Sequence, residues 1–310
     1  GDVLLTTPLI RAARERWPDA HIDVLGFQGT LGMLAGNTDI DGTLETPARL
    51  GWRGFRDLVR RLWRRYDLAL VTQPGDRAHL LGFIAARRRS GLLPPAHRSN
   101  WWKRPLLAHA VEIAGDLGER HVTAEKLALL DPWIPGPSSV PVVIPPAGLP
   151  LPEGLPLQPG YVVVHAPSMW EYKQWPLDHY AQLVQGLLAQ GRQVVLTGSG
   201  SDRDQACVAP LRELGQAPAL LDVSGKLNFR QVRTLLDGAA LYIGPDTSVS
   251  HLAAATGVPT IAVFGPTNPL RWAPWPAKAK ARELFARSSR LQVAGNVTLF
   301  QGPQECVPCG

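Results

Sequence analysis

Between Ala239 and Phe264 the chain passes through an apolar run, a polar turn, a short helical stretch and a second apolar run. Ala239-Ala240-Leu241-Tyr242-Ile243 reads as a buried strand, and Gly244-Pro245 breaks it. Asp246, Thr247 and Ser248 are residue types that cap a helix N-terminus. Ser250 to Thr256 reads as a short helix, stopped by Gly257-Val258-Pro259. Thr260 to Phe264 is a second strand, closed by Gly265-Pro266. Strand, turn, helix and strand in this order make a parallel crossover unit, which commits the chain to an α/β fold. Such units take ligands at the carboxyl ends of their strands, where helix N-termini offer free N–H groups to anions. Asp246, Thr247 and His251 fall at that end.

The 310 residues suffice for two domains of ordinary size. A hydrophobic fraction of 45% with 19% charged residues excludes a disordered chain. No apolar run approaches the roughly 18 residues of a membrane span, and no signal-peptide pattern opens the chain at Gly1. Three cysteines make no disulfide framework, so a cytoplasmic protein is expected. The net charge of +6 is unevenly placed. Seven arginines lie between Arg49 and Arg65 against the single acid Asp57, and Arg87-Arg88-Arg89 forms a second cluster. This half should attract an anionic partner; by charge alone, lipid phosphate, anionic saccharide and nucleic acid all qualify, and a solvated helix face is the plainer reading.

The alternation of helix and strand runs through both halves. Val3 to Trp17 has apolar residues at helical spacing, His21 to Phe27 is strand-like, and Phe55, Val59, Leu62 and Tyr66 sketch an amphipathic helix that carries the arginines. Leu68 to Thr72 reads as another buried strand, and the first unit continues to Ile134. Nine prolines between 135 and 160 then rule out helix and read as an extended linker. A second unit follows, with a strand over Tyr161 to His165, a helix over 177–190, a strand over Gln193 to Thr197 and a helix over Leu227 to Asp237. The expected domains are therefore 1–134, a 135–160 linker and 161–310, two doubly wound Rossmann-like units with the active site in the cleft between them. A doubly wound domain should open with a strand, so a strand is expected ahead of Gly1.

Four segments carry candidate chemistry. Gly1-Asp2-Val3-Leu4-Leu5-Thr6-Thr7-Pro8 places a carboxylate ahead of the first helix, where it can serve as an N-cap or as a base. His165-Ala-Pro-Ser168-Met-Trp-Glu-Tyr-Lys173-Gln-Trp175-Pro176 is a polar loop after a strand, with one lysine just before a helix, which suits an anion; an exposed loop lysine is the plainer alternative. Thr197-Gly198-Ser199-Gly200-Ser201-Asp202-Arg203-Asp204 begins like a dinucleotide fingerprint, but Arg203 stands where the third glycine belongs. The fourth is the 244–268 segment itself.

These segments resemble glycosyltransferase family 9, the heptosyltransferases of the lipopolysaccharide inner core, in three separated places: 1–8, 168–176 and 244–268. The resemblance implies a GT-B architecture and an inverting transfer from ADP-heptose to a lipopolysaccharide inner-core sugar. It implies that Asp2 is the general base and that Lys173 contacts the donor phosphates, with Ser168 at the hydroxyl position of the same loop. Asp246, Thr247, Ser248 and His251 would line the nucleotide-sugar pocket, and Asp202 or Asp204 would meet the ribose. The chain departs from the family at Ser248, where glycine, which allows close backbone approach, is more common. No metal or other cofactor is implied. The implied partners are the nucleotide sugar and a lipid-linked anionic saccharide, with peripheral contact at the cytoplasmic face of the inner membrane and no nucleic acid. The family usually continues beyond Gly310 with further helix.

Other classes weigh against this reading. A nucleotide-sugar epimerase or other transferase would share the architecture with a different donor. A catalytically inactive sugar-nucleotide-binding module would exploit the Ser248 departure. A Rossmann dehydrogenase conflicts with the broken glycine fingerprint. Asp39-Ile-Asp41-Gly42-Thr43-Leu44 resembles a phosphatase motif or an Asp-x-Asp metal site, but such a motif must end an apolar strand, and Gly36-Asn37-Thr38 is turn-forming. Cys306-x-x-Cys309 has the spacing of half a zinc site or a redox pair; Cys207 is isolated and expected to be buried.

Overall fold

The computed structural model describes residues 1–310 except 48, 50, 96, 97, 99, 114–117, 135–139, 280–283, 303–306 and 308–310. Cys306 and Cys309 lie outside the described residues. The chain divides into two compact units, Thr6–Leu31 with Thr38–Pro141, and Gly1–Leu5 with Gly32–Asn37 and Val142–Gly310. Among the described residues no helix is long and apolar enough to cross a membrane.

In the N-terminal unit, helix α1 (Thr7–Arg16) leads to strand β1 (Asp23–Phe27), which pairs in parallel with β2 (Gly42–Thr46). Helix α2 (Trp52–Leu62), β3 (Tyr66–Val71), α3 (Asp76–Ala85), β4 (Ala86–Leu93), the one-turn α4 (Asn100–Lys103) and β5 (His109–Glu112) follow, and then α5 (Val122–Leu127). The second sheet has the order β3-β4-β5, all parallel. One core joins Leu58 and Leu62 of α2 to Leu81 and Ile84 of α3, with Leu25 and Leu44 packed on it. The arginines of 87–89 open β4, where Arg87 and Arg88 are exposed, while the apolar end of that strand is buried. Arg89 is fixed, donating to Leu106 O and Ala86 O.

The Asp39 and Asp41 carboxylates are spent on structure. Asp39 accepts from Arg11 at 2.7 Å, and Asp41 accepts from Arg14 at 2.6 Å and from the Ile22 N–H at 2.7 Å. These last two bonds hold the Asp41 carboxyl below the usual carboxylate range, the Ile22 N–H most. The motif runs into the start of β2 instead of following the end of a strand, which argues against the phosphatase alternative.

The C-terminal unit is one sheet of seven strands. In chain order these are β6 (Val162–His165), α6 (Leu177–Ala189), β7 (Val194–Thr197), α7 (Asp202–Arg212), β8 (Leu220–Asp222), α8 (Phe229–Asp237), β9 (Leu241–Pro245), α9 (Ser248–Thr256), β10 (Thr260–Phe264), α10 (Pro269–Trp272), β11 (Leu291–Ala294) and β12 (Val297–Gln301). The spatial order is β11-β12-β10-β9-β6-β7-β8. Every pair is parallel except the β11–β12 hairpin. Strands β6 and β7 are buried along their whole length, as unbroken Val-Val-Val and Val-Val-Leu runs require when helices cover both faces. Tyr180 and Val184 of α6 and Val208 and Leu211 of α7 pack on one face. Ala254, Ala262, Phe264 and Leu299 form a second core at the β10–β12 side.

The proline-rich segment does not hang free as a linker throughout. From Val142 onward it belongs to the C-terminal unit, because α8 binds it: Arg230 donates to Ala147 O at 2.9 Å and Thr234 to Leu149 O at 2.7 Å. Ala147 N in turn donates to Ala35 O at 2.9 Å, which brings the 32–37 turn into the same unit. The strand order reverses between β6 and β9, and ligands of such sheets bind beyond the carboxyl ends of the two strands flanking that point.

Candidate active site

The β9–α9 turn is built by its small residues. A Cβ on Gly244 would fall on the Tyr242 hydroxyl, 2.8 Å from Tyr242 Cζ and 3.1 Å from His165 O, so β9 accepts no side chain there. Ser250, three residues into α9, donates to Pro245 O and stands 2.9 Å from the Tyr242 hydroxyl, closing the turn from beneath. Burial pushes the Tyr242 phenol far above its ordinary value, so it stays a neutral hydrogen-bonding group. Gly257, at φ +91°, ends the helix in the left-handed conformation that favours glycine.

This turn presents Asp246, Thr247 and Ser248 at the head of a nine-residue helix. Thr247 occupies the N-cap position in extended conformation but makes no side-chain cap. The first-turn N–H groups, that of Ser248 among them, are therefore not consumed by the cap and carry the positive end of the helix dipole. Asp246 is 7% exposed. Its Oδ2 accepts from Lys173 Nζ at 2.6 Å, and its Oδ1 lies 3.9 Å from His251 Nε2. The ion pair uses one of the three donors of the Lys173 ammonium, and the Lys173 side chain keeps 20% of its surface open to solvent.

Lys173 arrives on the β6–α6 loop, which also carries the buried Ser168. That loop is fixed through its backbone. Arg203 donates to Met169 O, and Tyr172 O stands so close to Gly265 that a Cβ there would come within 3.0 Å of it. Its side chains Met169, Trp170 and Tyr172 are exposed, the last two stacked with ring centroids 6.1 Å apart.

The β7–α7 loop separates the two aspartates. Asp204 accepts from Ser199 N at 2.7 Å and holds the Gly-Ser-Gly-Ser turn, while Ser201 caps α7 by accepting from Asp204 N. Asp202 stands exposed on the first turn of the helix. The opening turn of the chain belongs to this unit as well: Gly1 sits against the His251 imidazole, close enough that a Cβ would lie 3.1 Å from its Cδ2. Asp2, the next residue, is exposed.

Seven of the nine expected residues thus cluster at one end of β6 and β9 or on the opening turn against them, and Asp202 and Asp204 lie one strand further out. Three residues that the sequence reading left aside complete the arrangement. His165 ends β6 fully buried, with Nδ1 3.1 Å from Thr197 Oγ1, and burial drops its pKa to about 4, keeping the imidazole neutral. Ser250 and Arg203 lock two of the loops. Only the position of His165 at a strand end carried a sequence signal; the partners of Ser250 and Arg203 come from the fold. Cys207 is buried in α7, and burial pushes its thiol up to about 11, which leaves it an inert core residue.

Comparison with known proteins points to one family. The family model of glycosyltransferase family 9 (heptosyltransferase) matches residues 147–295. Lipopolysaccharide heptosyltransferase 3 of Escherichia coli is 31% identical over 291 residues, covering 89% of this chain and 83% of that protein. Lipopolysaccharide heptosyltransferase 1 of Pseudomonas aeruginosa is 32% identical over 306 residues, 87% of this chain and 77% of that one. Among solved structures, E. coli heptosyltransferase WaaC with ADP superposes with a TM-score of 0.72 at 18% identity, over 98% of this chain and 90% of that one. A family 9 glycosyl transferase from Veillonella parvula gives 0.75 at 19% identity, over 97% and 83%. The fold is that of these proteins, GT-B, with a Rossmann-like C-terminal sheet.

Proposed function

Since the chain belongs to glycosyltransferase family 9 and is a glycosyltransferase, we propose that it transfers heptose from ADP-heptose to an inner-core sugar of lipopolysaccharide, with inversion. The observation that supports this most is the Lys173–Asp246–His251 group at the head of α9, beside the point where the sheet order reverses. It is an anion site with a fixed cation and free N–H groups, as a leaving diphosphate needs.

The donor would bind the C-terminal unit, and the acceptor the arginine-rich N-terminal one. Asp2 takes the proton of the acceptor hydroxyl as its oxygen attacks the anomeric carbon. The bond from that carbon to the diphosphate oxygen breaks on the opposite face, and ADP leaves with its new charge against Lys173 and the N–H groups of Thr247–Ser248. His251 orients the 246–248 turn, Ser168 lines the same pocket, and Asp202 meets the ribose. Lys173 and the helix N-terminus supply the positive charge, so the reaction requires no metal and survives chelation. A lipid-linked acceptor and a nucleotide-sugar donor place the enzyme peripherally on the cytoplasmic face of the inner membrane.

A thermal-shift titration with ADP, UDP, GDP, CDP and NAD tests the donor. Stabilisation by ADP alone supports the reading; a UDP or GDP response discards ADP-heptose, and no response to any nucleotide discards transfer. Asp2→Asn should abolish ADP release in the presence of acceptor while leaving ADP binding intact, and near-normal turnover would remove the base assignment.

A further inference from the structure

Helix α2 of the N-terminal unit has two large aromatic side chains that its core does not use. Trp52 is 78% exposed at its start and Trp63 60% exposed at its C-cap. At about 100° per residue, eleven positions bring them within about 20° of each other on the helix surface, and about 16 Å apart along its axis. The same outward stripe carries Arg56 and Arg60, then Arg53, all exposed. The adjoining side turns inward: Leu58 and Leu62 are buried, with Phe55 and Val59 packed on the same cluster, so the tryptophans stand on the flank of the core face, about a quarter turn from its centre. Residues 52–65 hold six arginines and one acid, Asp57, whose contacts to Arg56 and Arg60 are 3.7 and 3.8 Å and exposed. Such pairs neutralise little. Arg64 is already stacked on Trp63 and Phe83 and donates to Ala86 O, so it braces the end of the helix.

We propose that this face of α2 rests on an anionic phospholipid bilayer, with Trp52 and Trp63 as paired anchors at headgroup depth and Arg53, Arg56 and Arg60 against the lipid phosphates. Charge complementarity selects an anionic surface. The tryptophans select a bilayer over a free phosphate or a saccharide phosphate, because two anchors on one side of the helix, about three turns apart, match an extended interface. Indole is the side chain that prefers the boundary between headgroup and acyl chain. The helix lies along the surface, since its inner face is occupied by the protein core. This contact holds the enzyme where a lipid-linked acceptor is found, but it does not depend on which sugar is transferred.

The test is flotation of the full chain with phosphatidylcholine vesicles, with and without about one third phosphatidylglycerol. The protein should float only with the anionic vesicles. Trp52→Ala/Trp63→Ala should lower the partition coefficient at least about tenfold, and Arg56→Glu/Arg60→Glu should abolish flotation. Trp101→Ala, which removes an equally exposed tryptophan (79%) on α4, should float like the parent protein. These side chains are exposed, so thermal midpoints are checked and at most a small drop is expected, from the lost Arg64–Trp63 stacking. Absence of flotation, an unaffected Trp52/Trp63 variant, an equal loss in Trp101→Ala, or tryptophan-dependent binding of an RNA oligonucleotide without vesicle binding would each overturn the proposal. ADP-induced stabilisation measured on the same samples reports the donor reading separately, so either can fail without the other.

Discussion

Lys173 and Asp246, 73 residues apart in sequence, meet at 2.6 Å where the loops after β6 and β9 converge. The carboxylate is nearly buried and the ammonium is its direct counter-charge, so the lysine is positioned before any ligand arrives. Lys173→Met should lower kcat for ADP release by about a hundred- to a thousandfold, the range for losing one preorganised charge donor. It also leaves Asp246 buried without its counter-ion, which should lower stability by about 1–3 kcal/mol, less than for a fully buried pair because Lys173 is partly exposed. Asp246→Asn added to Lys173→Met should recover stability in denaturant melts and leave activity lost. Recovery of both would make the pair structural only.

His165 gives the fold a dependence on acid. Its imidazole protonates near 6.5 in an unfolded chain and near 4 in the folded one, because burial disfavours the charged form. Below 6.5 the unfolded state takes up a proton that the folded state does not, so stability falls with pH down to about 4 and is flat with respect to this group above 6.5. Integrated over that window the loss is roughly 3 kcal/mol. His165→Gln should flatten the decline in thermal midpoint between neutral pH and pH about 5. An unchanged slope would assign it to the carboxylates.

Gly244 and Tyr242 are coupled by space. Gly244→Ala drives a methyl into the Tyr242 ring and hydroxyl and should cost about 1–3 kcal/mol. Tyr242→Phe alone loses the contact with Ser250 and should cost about 1 kcal/mol. In the double variant the clash with the hydroxyl is removed while ring Cζ at 2.8 Å remains, so the loss should be smaller than the sum by at least about 0.5 kcal/mol in chemical denaturation. Strict additivity would mean that ring Cζ and His165 O, not the hydroxyl, limit the site.

The strands that place the site were legible because they are long apolar runs: Val162–His165, Val194–Thr197 and Thr260–Phe264 lie within a residue of where pattern alone puts them. Helix α9 begins at Ser248, two residues earlier than the apolar run suggests, since the capping position falls on Thr247. Strand β8 is only three residues long and leaves no periodic signal. The β11–β12 hairpin has its sequence signal in Gly295-Asn296, which turns it with Gly295 at φ +56°. The arginines of 87–89 masked β4, because charge at the exposed start of a strand imitates a loop. Asp246, Thr247 and Lys173 could be singled out from turn and loop chemistry. Their mutual contact could not, because it depends on the parallel pairing of β6 with β9.

The two aspartates of the β7–α7 loop should separate in experiment as they do in space. Asp204 is engaged by the Ser199 N–H, and Asp204→Ala removes that acceptor from a turn that also holds Ser201 and Gln205. A hydrogen bond to a charged group contributes about 1.5–3 kcal/mol, less at an exposed site such as this one. Asp204→Ala should therefore lower the thermal midpoint and, by loosening the loop, weaken ADP stabilisation as well. Asp202 is exposed and stands on a helix turn that Ser201 already caps, so Asp202→Ala should leave the midpoint unchanged. If its carboxylate meets the ribose, ADP affinity should still fall about tenfold or more in calorimetric titration, while 2′,3′-dideoxy-ADP binds parent and variant alike. Loss of affinity in Asp204→Ala with full stability, and none in Asp202→Ala, would move the ribose contact to Asp204.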